Sequence, residues 1–138
     1  IKAVIVEADE YETIGTRALL NFGHTLGHAI EASAGYGKLL HGEAISLGLR
    51  AAAWLSAQIA DLTAEDYERI VALLKLYDLP VRLPDDFDTE DIMRIARMDK
   101  KFENGKIRFV LLRKIGDAYV SKDVMEGHLK QALDELRK

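Results

Sequence analysis

Three of the four histidines in this 138-residue chain fall within eighteen residues, in Asn21-Phe22-Gly23-His24-Thr25-Leu26-Gly27-His28 and Leu40-His41-Gly42-Glu43. On a helix, His24 and His28 stand one turn apart on one face, so both imidazoles can converge on a common object. His41 opens the next apolar segment, where a loop can fold it back against the first pair. Neutral imidazole is a good zinc ligand, and two or three such groups with a carboxylate make an open catalytic site. The chain has no cysteine, which excludes thiolate metal sites, disulfides and cysteine nucleophiles, so any metal must take His, Asp or Glu. The same spacing also fits partly buried histidines bonded to backbone carbonyls. Glycine tilts the balance: Gly23, Gly27 and Gly42 each sit beside a histidine, and a helical glycine costs up to about 1 kcal/mol against alanine, which close approach of a ligand or helix must offset. A zincin peptidase would carry glutamate directly after the first histidine, and Thr25 stands there instead. His128, alone on the final segment, reads as a surface residue.

An anionic substrate needs fixed cations and donors, and Lys2, Arg17, Asn21 and the pair Lys100-Lys101 after Asp99 supply them. Each also reads as a solvated surface group, the lysine pair above all, since charge runs beside turns are common. Arg17 and Asn21 precede His24 by seven and three residues, which on one continuous helix sets all three near one face.

The elements that must position these residues follow from pattern. Residues from about Arg17 to Ser33 and from about Gly42 to Ala60 read as helices, free of proline and rich in Ala, Leu and Ile. The second has Arg50 as its only charge from Ala44 onward, so it should be buried on most sides and packed closely through its small residues. Thr63-Ala64-Glu65-Asp66 resembles a capping box and opens a third helix ending before Pro80. The only two prolines, Pro80 and Pro84, mark a connection over residues 78–86. Thr89 to Arg97 reads as a fourth helix with acidic residues at its positive end. Alternation in Ile107 to Leu112, then Gly116-Asp117 and Ala118 to Val120, predicts one two-stranded hairpin. From Val124 onward, Leu129, Ala132, Leu133 and Leu136 form the stripe of a closing helix. The expected fold is mainly α, a multi-helix domain with one small β-hairpin.

Composition bounds the rest. With 49% apolar residues the chain suits one compact domain over 1–138. Its 23 acidic and 19 basic side chains, net −4, leave no electrostatic footprint for nucleic acid or an acidic membrane. No stretch is long and apolar enough to span a membrane and no signal peptide opens the chain, so the expected location is cytoplasmic. The chain begins with Ile1 inside a patterned segment, which reads as a piece of something longer.

The histidine motif through Glu31, then Leu40-His41-Gly42-Glu43-Ala44, then Asp99-Lys100-Lys101 with Gly105-Lys106-Ile107-Arg108-Phe109-Val110-Leu111, resemble in that order the C-terminal domain of 3-dehydroquinate synthase. The opening Ile1-Lys2-Ala3 with Asp9-Glu10 is similar too. The resemblance implies zinc or another divalent metal, together with NAD, acting on a heptulosonate 7-phosphate. That substrate is oxidised, loses phosphate, is reduced, opens and recloses as the carbocycle 3-dehydroquinate, a net carbon–oxygen lyase reaction of the shikimate pathway. It further implies His24 and His41 as zinc ligands, His28, Arg17, Asn21 and Lys2 as substrate contacts, Glu12 in the same polar shell, and Lys100 or Lys101 on phosphate or carboxylate. Between the acidic stretch and Arg17 the spacing is one residue longer than the family's usual one. The family's third zinc ligand, a glutamate, lies upstream of this region and its NAD domain further upstream still, so the chain taken alone is expected to be inactive. A related sugar-phosphate cyclase of the deoxy-inosose synthase type is the nearest alternative. A helical interaction domain without catalysis is the other. The expected partners are the phosphorylated keto acid, the N-terminal domain and, through apolar faces, a second copy of the chain.

Overall fold

The computed structural model describes residues 16–34 and 38–138. A 3-10 helix, Thr16–Asn21, leads through a turn into α1 (His24–Ala34), followed by α2 (His41–Ile59), α3 (Ala64–Leu76), α4 (Thr89–Arg97), strands β1 (Phe102–Glu103), β2 (Lys106–Lys114) and β3 (Asp117–Met125), and α5 (Glu126–Leu136). The mainly α architecture with a small antiparallel β element is as expected. The long apolar helix α2 is the spine: Leu47, Ala51, Ala52 and Leu55 have no exposed surface. They share one core with Leu26 and Ile30 of α1, Ile92 and Met93 of α4, Ile107 and Leu111 of β2, and Leu129 and Leu133 of α5.

Three expectations are corrected. The first helix is not continuous from Arg17 to Ser33. Gly23 takes φ +80°, a left-handed conformation open to glycine at little cost, and the α-helix starts only at His24. The sheet has three strands, in order β1-β2-β3. Asn104 and Gly105 both have positive φ, the requirement of a tight two-residue hairpin turn, and Phe102 pairs with Ile107 across it. Val124 lies in β3, where it pairs with Ile107 and is fully buried; the register shift between Ile107 and Phe109 keeps it facing the core. The closing helix begins two residues later, at Glu126.

Local chemistry accounts for the other boundaries. Thr63 Oγ1 accepts the Asp66 N–H at 3.1 Å and caps α3, and Asp88 accepts the Glu90 N–H at 2.9 Å and caps α4. His128 is more than a surface residue: its Nδ1 accepts the Met125 N–H at 3.0 Å, satisfying a free donor at the start of α5. The proline-bounded connection is pinned to α2, since Ser46 Oγ donates to the Pro80 carbonyl at 2.7 Å and Arg50 to that of Val81. Ser56 Oγ ties the sheet to the same helix by accepting the Leu112 N–H at 2.9 Å. Among the described residues no helix is long and apolar enough to cross a membrane.

Candidate metal centre

The helices α1 and α2 run antiparallel, and small residues set how close they come. A Cβ on Gly27 would stand 2.8 Å from Ile45 Cδ1 and 3.3 Å from the Ala44 carbonyl oxygen, and one on Gly48 2.7 Å from the Gly27 nitrogen. These separations leave no room for larger residues, so the backbones meet at a distance that only glycine permits. Gly42 differs: among the described residues its missing Cβ would meet nothing within 4 Å, and no close approach among them explains it.

Because the two helices touch, their histidines meet. The ring centroids of His24 and His28 are 5.2 Å apart, those of His28 and His41 5.7 Å, and those of His24 and His41 6.3 Å. One ring nitrogen from each lies within 4.8 Å of the other two. Tetrahedral zinc with Zn–N bonds of about 2.0–2.1 Å implies N···N edges of roughly 3.4 Å, a distance within reach of small ring rotations. His24 is half-buried, while His28 and His41 open to solvent, so the centre has protein on one side and an open approach on the other.

The donor chemistry also fits a cation. His24 Nδ1 lies 3.1 Å from the Phe22 carbonyl oxygen and His41 Nδ1 2.7 Å from Glu31 Oε2. A carbonyl and a carboxylate accept hydrogen bonds, so in the neutral ring Nδ1 carries the proton and Nε2 keeps a free lone pair. His28 is held below the ordinary histidine range, first by partial desolvation and then by the neighbouring His24 and His41, with Glu31 opposing and Lys101 reinforcing the shift. A neutral imidazole is the form that binds a metal or accepts from a substrate hydroxyl.

The turn after α4 brings in the lysines. Asp99 Oδ1 accepts the Lys101 N–H at 2.8 Å, and α4 packs against α1, which sets Lys101 close enough for its charge to act on His28. Lys100 and Lys101 also line a cleft of about 700 Å³ with Glu103, Lys106, Arg108 and Lys122. Among the described residues none of these five cations is in an ion pair.

Asn21 ends the 3-10 helix and is half-buried. Arg17 lies in that same 3-10 helix, so the backbone from Arg17 to His24 is not the one continuous α-helix that was expected. Lys2 and Glu12 lie outside the described residues. Sequence reasoning missed Glu31, although its place seven residues after His24 and three after His28 puts it on their face of α1. It also missed Lys106, Arg108 and Lys122, whose outward positions on β2 and β3 follow from strand alternation.

Comparison with known proteins identifies the family. The family described as 3-dehydroquinate synthase C-terminal matches residues 1–102. The chain is 47% identical to the 3-dehydroquinate synthase of Hydrogenovibrio crunogenus over 136 residues, covering 99% of this chain and 38% of that protein. It is 48% identical to that of Shewanella frigidimarina over 133 residues, 96% of this chain and 37% of that one. The chain therefore spans under two fifths of the length of these relatives. A 2-deoxy-scyllo-inosose synthase solved with carbaglucose-6-phosphate, NAD+ and Co2+ shares the fold at TM-score 0.85 and 24% identity, over 97% of this chain and 39% of that one. A 2-epi-5-epi-valiolone synthase from Streptomyces hygroscopicus subsp. jinggangensis 5008, solved with NAD+ and Zn2+, matches at TM-score 0.78 and 26% identity, over 96% of this chain and 36% of that one. On the family match and these identities, the chain belongs to the 3-dehydroquinate synthase family, of which it carries the C-terminal domain.

Proposed function

We propose that these residues form the metal- and substrate-binding half of a 3-dehydroquinate synthase, a carbon–oxygen lyase that converts a heptulosonate 7-phosphate to 3-dehydroquinate and phosphate. The observation that carries the reading is the convergence of His24, His28 and His41 from two helices, with ligand atoms within 4.8 Å of one another. In this reading His24 and His41 present Nε2 to a divalent metal, and NAD is held mainly by the part of the relatives that lies beyond their match to this chain. Bound there, the cation supplies Lewis acidity to substrate hydroxyl and ketone oxygens.

The chain's own groups then bind and orient. His28, kept neutral, accepts a hydrogen bond from a substrate hydroxyl or hands one back. Asn21, Arg17, Lys2 and Glu12 line the same substrate in the proposal. Lys101 is assigned the phosphate or carboxylate, in preference to Lys100, because its charge is the one that acts on His28. Lys100, Lys106, Arg108 and Lys122 add positive potential along the cleft. No strong protein base stands among these groups, in keeping with a reaction in which the substrate's own phosphate takes the proton and the protein positions and neutralises.

The test is elemental analysis of the protein reassembled with the upstream half that carries the family's third ligand, with His24→Ala and His41→Ala as controls. About one divalent metal per chain, lost in both variants, supports the reading, and no metal in the unaltered protein would favour a helical interaction domain instead. Turnover of the keto acid phosphate against glucose 6-phosphate separates the synthase from the inosose-type cyclase. One observation favours a second assignment for His28: its nitrogen belongs to the same cluster as the other two. If His28→Ala also empties the metal, His28 is a ligand; if the metal stays, it serves the substrate.

A further inference from the structure

We infer that Glu31 is a positioning residue that fixes the tautomer and ring orientation of His41 for metal binding. The inference rests on the metal reading above and extends it to a residue outside the proposed ligand and substrate set. Glu31 Oε2 and His41 Nδ1 are 2.7 Å apart, and the two side chains are 38% and 57% exposed. A polar contact this open contributes only about 0–1 kcal/mol to stability, so holding the fold together is a poor account of so short a contact.

Geometry gives it another role. His41 is the first residue of α2, with no preceding turn of helix to pack its ring. Left alone, an exposed imidazole samples several rotamers and both neutral tautomers. Glu31 reaches it from the last turns of α1 and removes that freedom. The carboxylate accepts only, so in the neutral ring the proton goes to Nδ1 and the lone pair is left on Nε2. At His24 the Phe22 carbonyl does the same work from within the turn at Gly23. The two imidazoles are thus oriented by two different acceptors, one from the backbone and one from a side chain of the neighbouring helix.

Long-range proton–nitrogen spectra of the metal-free full-length protein, together with Co2+ titration, test this in the unaltered protein and in Glu31→Ala, Glu31→Gln and His24→Ala. The unaltered protein should show His41 protonated at Nδ1, and Glu31→Ala should show mixed tautomers with an unchanged far-ultraviolet spectrum. Co2+ affinity should fall about 10- to 100-fold in Glu31→Ala, the usual effect of losing such a partner. Glu31→Gln keeps a carbonyl acceptor and should recover the tautomer and part of the affinity. If Glu31→Ala binds Co2+ as tightly as the unaltered protein while His24→Ala does not bind, the role assigned to Glu31 is wrong and the metal centre stands. If the unaltered protein binds no Co2+, the metal reading falls and this inference with it.

Discussion

Gly48 of α2 lies so close to Gly23 that a Cβ on Gly48 would stand 2.0 Å from the Gly23 carbonyl oxygen. That oxygen accepts the Gly27 N–H at 3.1 Å, so the atom it would strike belongs to the first turn of the helix that carries His24 and His28. Backbone cannot swing aside as a flexible side chain can, and α1 would have to move away from α2. Gly48→Ala is therefore expected to destabilise the chain by about 1–3 kcal/mol or more, in the range of core overpacking. It should weaken metal binding as well, although Gly48 is no part of the histidine cluster. Urea unfolding beside Co2+ titration checks both, and a variant with unchanged stability would mean that the crossing is looser than these distances.

Arg50 makes a different kind of prediction. It is buried, its Nε donates to the Tyr67 hydroxyl at 3.1 Å, its Nη1 donates to the Val81 carbonyl, and Glu135 lies 4.0 Å away. One guanidinium thus ties α2 to α3, to the connection over residues 78–86 and to α5. Removing it strands buried polar partners, so Arg50→Ala should cost about 2–3 kcal/mol. Arg50→Lys should recover little, since a point-charge ammonium cannot reach several partners in a planar fork. Denaturant unfolding measures the loss, and faster proteolysis near Pro80 would locate it.

These two residues also show what could be read beforehand. Arg50 was visible as the lone charge in an apolar helix, and α2 and α4 emerged close to their true limits, because periodicity and capping residues are local signals. The break at Gly23 was hidden, since a glycine inside a helical pattern looks the same whether it bends the chain or only makes room. The turn at Asn104-Gly105 was legible and overlooked, although that dipeptide is a strong hairpin signal. The partnership of Glu31 with His41 could not be derived from either segment alone. It exists only because α1 and α2 cross where they do.

The pH dependence follows from His28, whose folded-state pKa is lowered by desolvation and then by its neighbours His24 and His41. A lowered histidine means that the unfolded chain binds more protons than the folded one between the folded value and about 6.5. Stability from this group is therefore fully present above about pH 6.5 and is lost as the pH falls toward the folded value. In the presence of a chelator, urea unfolding from pH 8 to pH 5 should show this acid-side loss. His28→Asn should flatten it, and an unchanged slope would assign the loss to other groups.

Lys101 and Lys100 are neighbours in sequence, and Lys101 is among the charges that hold His28 below the ordinary histidine range. If Lys101 meets the substrate's phosphate or carboxylate, Lys101→Ala should weaken substrate binding by about 10- to 100-fold in the full-length enzyme, the range expected for one charge-assisted hydrogen bond. Lys100→Ala, which removes only a contribution to the potential of the cleft, should have a smaller effect that fades as salt is raised. Lys101→Arg keeps the charge but changes its reach and shape, so a partial recovery is expected. Equal losses from the two alanine variants, both erased by salt, would show that the cleft acts through net charge alone. The selective role of Lys101 would then be withdrawn, while the proposed metal site, which rests on other side chains, would be unaffected.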